Sequence, residues 1–175
     1  MNASVGFRSL VAADLLRATG RCGLRGVLAA AVFEPGFGTL LLHRVSVLLD
    51  RARFQRTAKL LWRLNVLGSG CHIHLSSDIG PGLKLPHPIG IVIGEGCRIG
   101  AGVTVFQHVT IGRALMEGAY PLIEDGVTLF PGAVVVGAIT LGAGVIVGAN
   151  SVVRHDVPAA AVVAGNPAKV LRYAN

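Results

Sequence analysis

The chain has 175 residues, 52% of them hydrophobic and only 14% charged, with a formal net charge of +7 and a mean hydropathy of +0.63. That length suits one compact domain with a terminal subdomain, and that composition excludes a disordered chain. No run approaches the roughly 18 uninterrupted apolar residues that a membrane-crossing helix needs; His43 and Arg44 break the apolar stretch at 40–49.

The start carries Arg8, Asp14 and Arg17, and no small-residue cleavage site follows an apolar core, so no signal peptide is expected. Cys22, Cys71 and Cys97 show no paired spacing and fit reduced thiols in a cytoplasmic protein. Residues 1–70 read as a helical region. Leu10, Ala13, Leu15 and Leu16 precede a Gly-rich break at 20–26; Leu40, Leu41, Val45, Leu48 and Leu49 then recur at helical spacing after Pro35. A third segment, 53–67, mixes Leu60, Leu61, Leu64 and Leu67 with basic residues, and Gly68, Ser69 and Gly70 close it. Arg51, Arg53, Arg56, Lys59 and Arg63 concentrate positive charge there, a segment suited to an anionic surface or simply to solvent. Nucleic acid is not expected, because aromatics are 5% of the chain and no stacking motif accompanies the basic run.

From 71 to 157 the period changes to six. Aliphatics stand at Ile73, Ile79 and Leu85, at Ile93, Ile99, Val105 and Ile111, and again from Ile123 through Leu129, Val135, Leu141 and Val147 to Val153. Glycine directly follows several of them, at Gly94, Gly100, Gly112, Gly142 and Gly148. A helix has no period of six. A short strand and a turn, repeated around a prism, requires both features, so the spacing predicts a β-solenoid of hexapeptide repeats. Two interruptions break it. Leu85 and Ile93 are eight apart rather than six, around Pro86, His87 and Pro88, and Glu117 occupies an inward phase, so 113–121 is expected to leave the solenoid as a loop. Breaks in an otherwise regular array are where a site belongs. Residues 158–175 read as a C-terminal cap.

The run from His87 through Pro88, Ile89, Gly90, Ile91, Val92, Ile93 and Gly94 to Glu95 resembles the hexapeptide-repeat acyltransferases, in particular their serine acetyltransferase branch. Val109-Thr110-Ile111-Gly112 and the segment from Ala164 to Val170 add to the likeness. The resemblance implies a left-handed parallel β-helix, a homotrimer with active sites between subunits, and acetyl-CoA as donor with no metal. It implies His87 as general base, since a hydroxyl attacks only as a base takes its proton and imidazole suits that task. It also implies cofactor contacts at Ala149 and Lys169, with Arg154 and Arg172 as further phosphate candidates. His108, Glu95 and Tyr120 are acceptor-side candidates, and Asp78 and Glu95 are the nearest carboxylates in sequence to orient His87.

The chain departs from that branch at several positions. Pro86 stands where an Asp precedes the base, His72 where a dyad Asp lies, and Ala119 and Tyr120 where the loop carries Arg and His. These swaps remove groups that would hold a zwitterion. They lead to the expectation of a sugar hydroxyl as acceptor, in exopolysaccharide or related glycan assembly. The enzyme would then lie peripherally at the inner membrane face, with 51–63 against anionic lipid. The alternatives are a serine O-acetyltransferase of cysteine biosynthesis and a non-catalytic solenoid scaffold. Cys71-His72-Ile73-His74 has no evident fourth ligand and is not read as a metal site.

Overall fold

The computed structural model describes residues 6–114 and 118–173. Among them, four helices precede the strands: α1 (Phe7–Thr19), α2 (Gly23–Phe33), α3 (Pro35–Arg51) and α4 (Gln55–Ser69). The sequence reading anticipated three. Gly20 ends α1 in the left-handed conformation as expected of a helix C-terminus, but α2 begins inside the supposed Gly-rich break. Gly26 explains this: a Cβ there would stand 3.3 Å from the Leu15 side chain, so glycine serves close packing of α2 on α1. No single helix among the described residues is long and apolar enough to cross a membrane, and α2 and α3 meet at a 108° bend.

Beyond Gly70 the chain winds into a parallel β-solenoid with three sheets. Sheet I stacks β1 (His72–Ile73), β3 (Val92–Ile93), β6 (Thr110–Gly112), β9 (Val134–Val136) and β12 (Val152–Val153). Sheet II stacks β2 (Asp78–Ile79), β4 (Arg98–Ile99), β7 (Leu122–Ile123) and β10 (Thr140–Leu141). Sheet III holds β5 (Thr104–Val105), β8 (Thr128–Leu129), β11 (Ile146–Val147), β13 (Ala161–Gly165) and the antiparallel β14 (Ala168–Tyr173). Every aliphatic of the six-residue series is buried, from Ile73 to Val153. Register is equally regular: Ile73 lies beside Ile93, Ile93 beside Ile111, and Ile111 beside Val135. Each stacked Ile or Val contributes on the order of 1.5–3 kcal/mol by leaving water, and the same residue repeated coil after coil makes one continuous core. The two added residues at 86–88 are absorbed before β3 without disturbing the Ile73–Ile93 register. Of the excursion at 113–121, residues 115–117, with Glu117, lie outside the described residues. The described remainder forms no strand.

Three edges separate the sheets, and each has its own occupant. At edge II/III the helices dock. Arg44 of α3 donates Nη1–H to the Ile79 carbonyl and Nη2–H to the Gly80 carbonyl, each at 2.6 Å, and its Nε lies 3.1 Å from Asp14 Oδ2 of α1. Asp14 Oδ1 in turn accepts from the Gly82 amide at 2.8 Å. Burial raises the Asp14 carboxyl, opposed by the Arg44 guanidinium and by the Gly82 hydrogen bond. At the N-terminal end of the prism Leu40 joins the solenoid core, and Gly36 passes so close to the Leu85 carbonyl that any Cβ would collide with it.

Candidate functional site

Edge III/I carries the candidate base. His87 sits on the turn from sheet III into β3, between half-buried Pro86 and buried Pro88, and its side chain is exposed. One coil on, His108 occupies the equivalent turn with φ 58°, a left-handed conformation that puts its ring against Gly90. Gly90 is itself left-handed at φ 68°, and a Cβ there would overlap the His108 imidazole, so glycine is required on two counts. The His108 amide donates to the Ile89 carbonyl at 2.9 Å, fixing this histidine to the segment that bears His87. Two coils further, Ala149 and Asn150 are exposed on the same edge, Asn150 with φ 54°. At about 4.8 Å per coil, three coils from His87 to Ala149 span roughly 14 Å along one exposed edge.

Edge I/II gathers a different set. Tyr120 lays its ring over Gly94 and Gly96, where a Cβ would meet it at 2.9 Å or less, and Glu95 lies exposed between those glycines. The Arg113 guanidinium stands 5.6 Å from the Tyr120 ring centroid, within cation–π range. Ser76 of the first coil donates Oγ–H to the Glu95 carbonyl at 3.1 Å and lies 2.8 Å from His74 Nδ1. Sequence reasoning missed Arg113. Its only signal was a cation at the mouth of the loop, directly after Gly112.

The structure therefore brings His87, His108 and Ala149 to one edge and Glu95 and Tyr120 to another, with sheet I between them. Among the described residues no hydrogen bond joins the two groups. Asp78 is removed from His87, because it lies on β2 and borders a cleft of about 670 Å³ against α3. Glu95 likewise makes no hydrogen bond to His87, so neither suggested carboxylate orients the base within one chain. Lys169 is exposed on β14, paired in register with Ala164, and Arg154 is exposed just after β12 at edge I/II, away from Ala149. Arg172 is exposed on β14 opposite Val162. The histidine-rich strand divides its side chains. His72 packs edge-on to Trp62 at 5.1 Å, while His74 turns to Ser76. Cys71 is buried in the core, where burial pushes its thiol up to about 12, and no group of three metal-ligating side chains gathers among the described residues.

The family described as bacterial transferase hexapeptide (six repeats) matches residues 120–155. The chain is 39% identical over 138 residues to the serine acetyltransferase of Bacillus subtilis, covering 78% of this chain and 64% of that protein. It is 41% identical over 150 residues to the serine acetyltransferase of Staphylococcus xylosus, covering 85% of this chain and 69% of that protein. It thus spans just under two thirds of the first relative's length and slightly more of the second's. Among solved structures it is similar to soybean serine acetyltransferase complexed with serine, with TM-score 0.84 at 35% identity, covering 94% of this chain and 69% of that one. It is also similar to a serine acetyltransferase in complex with CoA, with TM-score 0.80 at 28% identity, covering 93% of this chain and 68% of that one. These likenesses overturn the expectation of a sugar acceptor in glycan assembly, since the relatives and the structures alike are serine acetyltransferases. In that loop Ala119 and Tyr120 stand where the family carries Arg and His. Arg113 keeps a guanidinium beside Tyr120 at the same edge.

Proposed function

The chain belongs to the serine acetyltransferase family, and from that premise we propose that it transfers an acetyl group from acetyl-CoA to the serine hydroxyl. The observation that carries this reading is the pairing of its relatives' identity with an exposed histidine on a turn that interrupts the solenoid. His87 takes the hydroxyl proton as the oxygen attacks, a role that contributes about 10²–10⁴-fold, and later returns that proton to the departing thiolate. Acetyl-CoA supplies the activated thioester. The exposed edge from His87 past His108 to Ala149 offers backbone and small side chains to an extended arm; Lys169 and Arg172 are cations suited to its phosphates, and Arg154, on edge I/II, would meet them only from a neighbouring copy.

Serine is a zwitterion, so its pocket needs a cation for the carboxylate and an acceptor for the ammonium. Arg113, steadied by Tyr120, answers the first need, and Glu95 between Gly94 and Gly96 answers the second. His108 lies beside His87 and helps position the hydroxyl. Because the two groups occupy different edges, the reading places edge III/I of one copy against edge I/II of its neighbour, as in a homotrimer with sites between subunits. The test is thiol release from acetyl-CoA with and without free serine. Serine-dependent release supports the reading, and release no faster than hydrolysis in the absence of serine overturns it.

A further inference from the structure

The outward face of α4 has no part in acetyl transfer and is unusual in composition. Its inward face is fully engaged: Ala58 and Asn65 are buried, Asn65 donates Nδ2–H to the Thr39 carbonyl at 3.0 Å, and Trp62 donates Nε1–H to the Ile73 carbonyl at 2.8 Å. Facing outward are Leu60, Leu64 and Leu67, exposed by 57%, 52% and 71%. They recur three and four residues apart and so form one stripe. Arg56, Lys59 and Arg63, all exposed, run along one flank of that stripe at the same spacing. From 51 to 77 the sequence contains no Asp or Glu, and among the described residues none of these three cations makes a salt bridge.

We propose that this face of α4 is a peripheral docking surface for an anionic lipid bilayer, the three cations meeting headgroup phosphates and the three leucines entering the acyl boundary. The two stripes select this occupant together. A purely polyanionic partner would satisfy the cations and leave three leucines in water. A second copy of the chain in a two-fold contact would set the cations of one face against those of the other. A bilayer with anionic headgroups meets both stripes at once, which is the arrangement of interfacial helices. The inference rests on the helix itself and does not depend on which acceptor the enzyme uses.

The test is co-sedimentation of the full chain with vesicles of phosphatidylcholine alone or mixed with phosphatidylglycerol, at ~0.1 M salt. Binding is expected only with phosphatidylglycerol. Replacing Arg56, Lys59 and Arg63 together by Gln should weaken it by roughly a hundredfold, and replacing Leu60, Leu64 and Leu67 by Ser should remove the portion that survives high salt. Trp62, the one tryptophan of the chain, lies on the inward face, so unchanged emission shows that α4 remains docked in each variant. Absence of binding to phosphatidylglycerol vesicles overturns the proposal. So does a Leu-to-Ser variant that binds like the parent, one that changes the oligomeric state, or a parent that binds immobilised heparin but not vesicles.

Discussion

Edges II/III and III/I of the solenoid are made by the same repeat, yet one is fastened and the other left open. At edge II/III the backbone carbonyls of Ile79 and Gly80 are taken by Arg44, and Asp14 closes the arrangement onto the Gly82 amide, all of it buried under α1 and α3. At edge III/I, among the described residues, no helix side chain bonds to the turns, and His87, His108 and Ala149 stay exposed. The difference shows how a uniform scaffold acquires a direction. Buried polar groups pin α1 and α3 to edge II/III, and an edge without such groups stays exposed.

The contrast can be broken most severely at the open edge. His87→Ala should lower serine-dependent turnover by about 10²–10⁴-fold while leaving the thermal unfolding midpoint unchanged, as read by circular dichroism. At the fastened edge the same kind of truncation should act on stability instead. Asp14→Ala strands Arg44 in a buried setting and should cost about 3–5 kcal/mol in urea unfolding. Arg113→Ala, on edge I/II, should raise KM for serine by roughly tenfold or more, the worth of a hydrogen bond to a charged group, with kcat less affected.

A separate effect concerns pH. His43 of α3 is 2% exposed, and burial, with Arg44 and His74 nearby, lowers its pKa to about 3. In the unfolded chain a histidine takes its proton near pH 6.5, so the folded state binds fewer protons between about 6.5 and 3. Stability from the neutral ring is complete above that window and falls with pH inside it, by up to ~1.4 kcal/mol per unit. Urea midpoints at pH 7 and pH 4.5 should therefore converge in His43→Phe relative to the parent. Asp14, whose carboxyl is raised, is present in both and drops out of the difference.

The solenoid was readable from sequence because its inward positions are periodic and interchangeable. Ile73, Ile99 and Val147 do the same thing in different coils, so a six-residue spacing announces them all. The latch was not readable: Asp14, Arg44 and Gly82 are far apart in the chain and each occurs once. The helix α2 was obscured because glycine signals both a break and close packing, and only the contact of Gly26 with Leu15 separates the two. The exposed turn that carries His87 was legible from the break in the six-residue spacing. The acceptor was not legible, because recognition depends on which groups converge in space, and Ala119 and Tyr120 alone do not say where Arg113 comes to lie.

The central claim is that base and acceptor loop come from different edges and meet between copies. The direct test is to co-express His87→Ala with Arg113→Glu and measure turnover of the mixed oligomers at low serine. With sites shared between neighbours, random mixing restores about a quarter of the parent activity, because one site in four receives an intact His87 and an intact Arg113. Activity no greater than the average of the two variants alone would place both groups in the same chain and contradict the account.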